Sequence, residues 1–124
     1  MALPKTNRLK RRRDFNTVYQ RGIRRNSANL ALRALPPSRQ KGLQSPPPPS
    51  QIGISISKKV SKHAVVRNRI KRQIRAALRQ LLFRLPDGWK VVIVVRSEAT
   101  QCDYSQFLQE LEQLLVEAEV LNGN

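Results

Sequence analysis

Val91, Val92, Ile93, Val94 and Val95 follow one another without a polar residue. Side chains of a strand alternate between its two faces, so this run predicts a strand covered on both. A chain of 124 residues holds one domain with one modest core. The cover must therefore come from the segments around that strand.

Their patterns supply it. Ile52, Ile54 and Ile56 alternate with Gly53, Ser55 and Ser57, the mark of a strand with one wet face. Ala28, Leu30, Leu32 and Ala34 predict another strand over 28–35. Phe15, Val18 and Tyr19 lie on one face of a short helix, with Asp14 as its cap and Gly22 as its stop. From about Ser61 to Arg84 the apolar period becomes helical, through Val66, Ile70, Ile74, Ala77, Leu78, Leu81 and Leu85. Phe107, Leu108, Leu111, Leu114, Leu115 and Ala118 form a last amphipathic helix, with Asp103 or Ser105 as cap. Pro86-Asp87-Gly88 is a turn.

The expected order is α-β-β-α-β-α, an α+β fold with helices packed on a small central sheet. A single domain is expected over 14–121, after a basic, flexible arm over 1–13. Residues 36–50 hold Pro36-Pro37 and Pro46 to Pro49 and cannot pair in a sheet, because proline fixes φ and lacks a backbone donor. A polyproline ligand is one reading of this loop, and a tolerated surface insertion is the favoured one.

Charge narrows the function. The chain has 24 Lys and Arg against 8 Asp and Glu, a formal net charge of +16. All the cations lie within residues 1–96, where Asp14 and Asp87 are the only acids, and residues 97–124 carry the other six acids. Such asymmetry argues for a polyanionic partner. No apolar run approaches the roughly 18 residues of a membrane span, and residues 1–13 lack the apolar core of a secretory signal. A lone Cys102 excludes an intrachain disulfide and a Cys-based zinc knuckle, which makes a reducing cytoplasm the expected location.

The central helix carries most of the information. At about 100° per residue from Val66, the apolar positions span roughly 0° to 120°, whereas Arg75, Asn68, Arg79 and Arg72 fall at about 180° to 240°. Lys71 sits at the border, where its stem can lie on apolar surface. A solvated surface face usually mixes signs, but Arg67 to Arg84 contains six arginines and Lys71 with no acid. Crowded like charges destabilise a free helix, and phosphate relieves that cost. Arg67 and Arg69 lie about 200° apart and bracket the helix start, where backbone N–H groups also attract anions. Lys58, Lys59 and Lys62 thicken the patch. Phe15 and Tyr19 are either core residues or platforms for unpaired bases, and a base-stacking role favours RNA. No helix-turn-helix or RNP aromatic motif is present.

Ser57-Lys58-Lys59-Val60, Ala64-Val65-Val66, Arg67-Asn68-Arg69-Ile70-Lys71-Arg72 and Arg75 resemble the signature helix of the bacterial ribonuclease P protein subunit family. Arg8-Leu9, Asp14-Phe15, Val18-Tyr19 and Gly22 resemble the opening helix of that family, and the resemblance spans most of residues 7–118. It implies a small protein joined to a catalytic RNA, one protein per RNA, in a particle that removes the 5′ leader of precursor tRNA. It also implies Mg²⁺ held by the RNA subunit and substrate. Arg67, Asn68, Arg69, Lys71, Arg72 and Arg75 would face the catalytic RNA, joined by Arg79 on the same stripe. A cleft with Phe15 and Tyr19 would hold the leader, with Lys58 and Lys59 as further basic contacts. Arg33 stands in the first strand where relatives often carry aromatics, so this cleft should rely more on charge.

The residues independently argue against a protein nuclease. Metal-assisted phosphodiester hydrolysis needs several carboxylates or a pair of acid/base groups. The basic part of the chain offers only Asp14, Asp87 and His63, and arginine cannot act as a base. The alternative from another class is a ribosomal or other structural RNA-binding protein, followed by a DNA-binding regulator.

Overall fold

The computed structural model describes residues 3–43 and 45–121. Its helices are α1 (Arg12–Arg21), α2 (Ala64–Leu81) and α3 (Tyr104–Glu117). The strands are β1 (Ile23–Asn26), β2 (Leu30–Leu35), β3 (Gln51–Ser55) and β4 (Lys90–Val95). They form one sheet in the order β1-β2-β4-β3, in which β3 and β4 are parallel and the other pairs antiparallel. A parallel pair needs a long crossover, and α2 is that crossover.

β4 thus has a strand on each side, and Val91, Val92 and Ile93 are fully buried. Ile93, with Leu30, Leu32, Ala34 and Ile52, faces the main core under α2 and α3. That core includes Ile70, Ile74, Leu78, Phe107, Leu111, Leu114 and Leu115, each worth about 1.5–3 kcal/mol when fully buried. Val92 faces the other way, into a smaller cluster with Leu9, Val18 and Leu35 beneath α1. The five-residue apolar run is therefore covered by different helices on alternate residues.

Expectations about two segments are corrected. The element order gains a strand, β1, because Ile-Arg-Arg-Asn shows no apolar alternation. It is an edge strand paired only with β2, and charged side chains suit such an edge. The N-terminal segment is not a detached arm: Leu3 and Leu9 are buried, and the Leu9 N–H donates to the Ile52 carbonyl at 3.0 Å. Arg8 forms an isolated parallel bridge with Ile52, so the segment lines the free edge of β3.

Local signals explain the element ends. Gly22 ends α1, its N–H bonded to the Val18 carbonyl at 2.8 Å. A Cβ there would lie 2.5 Å from that oxygen, so only glycine fits the close approach. Asp14 is not the cap of α1; it sits in the first turn and pairs with Lys90 at 3.2 Å. Asp103 does cap α3, in a reciprocal box with Gln106. The proline-rich loop is closed onto the turn before β4, where the Gly88 N–H bonds the Pro48 carbonyl at 2.8 Å. Gln40 Nε2 donates to the Gly88 carbonyl at 2.6 Å. No helix among the described residues is long and apolar enough to cross a membrane.

Candidate nucleic-acid interface

The cations of α2 divide into two groups. Asn68, Arg72 and Arg79 are exposed, and Lys71 and Arg75 are half-buried. Arg67 and Arg69 are drawn back toward the protein in different directions. Arg67 Nη1 donates to the Ser61 carbonyl at 2.8 Å, tying down the turn before the helix. Arg69 Nη2 donates to the Thr100 carbonyl at 3.1 Å and so fastens α2 to the 3₁₀ turn Ser97–Gln101. Its Nε is buried without a partner among the described residues. The two arginines of the Arg-Asn-Arg motif bracket the helix start, as their angular separation implies, and each braces a neighbouring segment.

Lys58 and Lys59 stand exposed in the turn after β3, and Lys62 and His63 are exposed just before α2. His63 is the N-cap but makes no side-chain capping bond, and the first turn holds no acid. The start of α2 is therefore a positive helix terminus among cations, an arrangement that favours an anion.

On the opposite face of the sheet, α1 presents Phe15 and Tyr19, both half-buried against the Leu9–Val18–Leu35–Val92 cluster. Phe15 lies on Gly53, where a Cβ would come within 2.3 Å of the ring. A glycine inside a strand marks such a close approach, and this was the readable signal for a residue otherwise overlooked. Arg33 pairs across β2 with Arg24 of β1 and Val92 of β4, and opposed residues share a face. Arg33 therefore stands on the α1 side.

A groove of about 280 Å³ runs between these parts, lined by Leu9, Lys10, Phe15, Gly53, Ile54 and Arg75 among others. It brings together Phe15 of the expected leader cleft and Arg75 of the expected RNA-facing stripe. Tyr19, Arg33, Lys58 and Lys59 do not line it. Arg8 and Lys10, which do, were absent from the expected site because they lay in a segment read as a flexible arm.

Few of these charges are internally compensated. Among the described residues the ion pairs are Lys90–Asp14 and Arg84–Glu112. Two other C-terminal acids, Asp103 and Glu110, serve the fold, Asp103 as the cap of α3. Glu110 accepts from Asn29 Nδ2 at 2.6 Å, from the Asn29 N–H at 3.0 Å and from the Ser27 hydroxyl, which pins the β1–β2 turn to α3. Burial acts to raise its pKa, but the hydrogen bonds from Asn29 and Ser27 outweigh it and hold the carboxyl below its ordinary value. Burial pushes the Cys102 thiol up, assisted by Glu110 and Asp103.

The arrangement offers cationic side chains on two faces that meet at Arg75, and one aromatic ring beside them. The family model for ribonuclease P matches residues 3–119. A ribonuclease P protein component from Cyanothece sp. is 59% identical, covering 98% of this chain and 98% of that protein. One from Nostoc sp. is 55% identical over 100% of this chain and 99% of its own length. The Staphylococcus aureus RNase P protein superposes with a TM-score of 0.76 at 26% identity, covering 95% of this chain and 100% of the other. An RNase P protein from Thermotoga maritima, in complex with 1-(4-fluorophenyl)-2-thiourea, gives a TM-score of 0.71 at 26% identity, over 87% of this chain and 96% of that one. With both the motif helix and the whole fold matched, the chain belongs to the ribonuclease P protein family.

Proposed function

We propose that this chain is the protein subunit of a ribonuclease P particle and assists a catalytic RNA in removing the 5′ leader from precursor tRNA. The observation that carries the reading is the acid-free cationic face of α2, which adjoins a groove containing Phe15. Asn68, Lys71, Arg72, Arg75 and Arg79 would contact the catalytic RNA. Arg67 and Arg69 would hold the helix in place while adding positive potential. Phe15, Tyr19, Arg33, Lys58 and Lys59 would meet the single-stranded leader, chiefly by charge, with stacking limited to the two rings.

The protein's contribution is positioning and electrostatic screening. Two RNA molecules repel each other, and a surface of uncompensated guanidinium and ammonium groups between them lowers that repulsion. Binding would release counterions and weaken steeply with salt. Among the described residues, no three of His, Cys, Asp and Glu come together. On the family resemblance, Mg²⁺ would belong to the RNA and substrate, with one protein to each RNA in the cytoplasm. Reconstitution with a ribonuclease P RNA and a precursor tRNA tests this reading. Correct 5′ ends should form faster with the protein at moderate salt, and precursor should bind more tightly than mature tRNA. An absence of both effects would refute it.

A further inference from the structure

A second cavity, of about 680 Å³, lies between the N-terminal segment, the start of α1, the proline-rich loop and the near ends of β3 and β4. Lys5, Arg8, Lys10, Arg11, Lys41 and Lys90 line it. Asp14 is the one carboxylate on its wall, and Lys90 holds it at 3.2 Å. Five cations thus converge on a concave surface without a counter-charge, beside the positive end of α1, whose first turn carries Arg12 and Arg13. Cations at a helix N-terminus oppose the helix dipole and weaken the free fold. Such an arrangement suits a bound polyanion.

The cavity adjoins the groove at Phe15, and Arg8 and Lys10 line both. Among the described residues its wall contains no aromatic ring and is dominated by cations, so it is suited to grip phosphates more than to stack bases. The proline-rich loop supplies the outer rim through Gln40, Lys41 and Pro48, and its bonds to Gly88 hold that rim in place. From this geometry we infer that the cavity takes the phosphodiester backbone of the leader's 5′-distal nucleotides as they leave the groove. The proline-rich loop is then part of the RNA-binding surface, and the contact is independent of leader sequence. The inference rests on the leader reading above.

The test uses the full chain, assembled with its catalytic RNA, and the double variant Lys5→Ala/Lys41→Ala, both at exposed positions. Affinity is measured against salt for precursor tRNAs with leaders of about two and about twelve nucleotides. Each single-strand phosphate contact carries a log–log salt slope of about 0.7, or about fivefold in affinity at 0.1 M salt relative to 1 M. The double variant should therefore bind the long-leader precursor about 25-fold more weakly, with a slope lower by about 1.4, and bind the short-leader precursor unchanged. Equal losses for both precursors would assign the cavity to the catalytic RNA or the tRNA body and overturn the inference. So would full retention of long-leader affinity. Should the double alanine variant melt early, Lys5→Gln/Lys41→Gln is read by the same criterion. A wild-type particle that does not distinguish precursor from mature tRNA would instead sink the leader reading itself.

Discussion

The ring of Phe15 occupies the space where a side chain at position 53 would begin: a Cβ on Gly53 would lie 2.3 Å from Cζ and 2.7 Å from Cε1 of that ring. The tip of the ring meets the sheet, and Phe15 also lines the groove that Arg75 shares. Gly53→Ala should push the ring off the sheet and destabilise the fold by about 1–3 kcal/mol. Leader-dependent binding should fall with it, because the groove is rebuilt. A urea melt with paired binding of precursor and mature tRNA checks this. An unchanged melt would show that the ring is free to move.

Arg69 and Arg72 are three residues apart and should behave oppositely. Arg69→Ala removes the bond to the Thr100 carbonyl and should cost about 1–2 kcal/mol of stability. Arg72→Ala should leave the melt unchanged. Combined with Arg75→Ala, it should lower the salt slope for catalytic-RNA binding by somewhat less than one unit per contact. An unchanged slope would mean that the stripe is only solvated.

Tyr19 packs half-buried on the cluster under α1. Tyr19→Ala should therefore lower stability, by less than the roughly 3–5 kcal/mol of a fully buried aromatic. It should also weaken precursor binding by about 1–3 kcal/mol beyond any loss for mature tRNA. Equal losses for the two ligands would confine Tyr19 to the core.

His63→Ala, Asp14→Ala and Asp87→Ala should each leave the single-turnover cleavage step of the reconstituted particle nearly unchanged at saturating Mg²⁺. His63 and Asp87 are exposed, and Asp14 is engaged by Lys90. A loss of about a thousandfold in any of them with the fold intact, roughly 4 kcal/mol of barrier, would return the chemistry to the protein.

Glu110 ties α3 to the β1–β2 turn through Ser27 and Asn29. Its folded pKa lies below the ordinary value of 4.5, so its contribution is complete above that pH and fades as pH falls through the folded pKa. Glu110→Gln should lower stability at neutral pH by about 1–2 kcal/mol. It should also reduce the acid sensitivity of the melt below about pH 4.5. A variant whose melting midpoint tracks the wild type at every pH would remove Glu110 from this role.

What the sequence by itself determined was everything written in a local period. The unbroken run from Val91 to Val95 declared a strand covered twice, and the wheel of α2 separated Ile70, Ile74 and Leu78 from the cationic stripe. The motif around Arg67-Asn68-Arg69 declared the family, because it joins residue types at fixed spacing within one helix. What only the tertiary structure decided depends on partners distant in the chain. β1 exists because Ile23 to Asn26 meet Ala34 to Ala31 in register, which no pattern within four mostly polar residues announces. Arg8 and Leu9 are held by the edge of β3, more than forty residues away. The division of labour between Arg69 and Arg72 follows from where Thr100 lies, and the basic cavity exists only once the loop over 36–50 is closed onto Gly88. Periodicity records which side of an element is buried; it does not record which element buries it, because that is fixed by contacts summed over the whole fold.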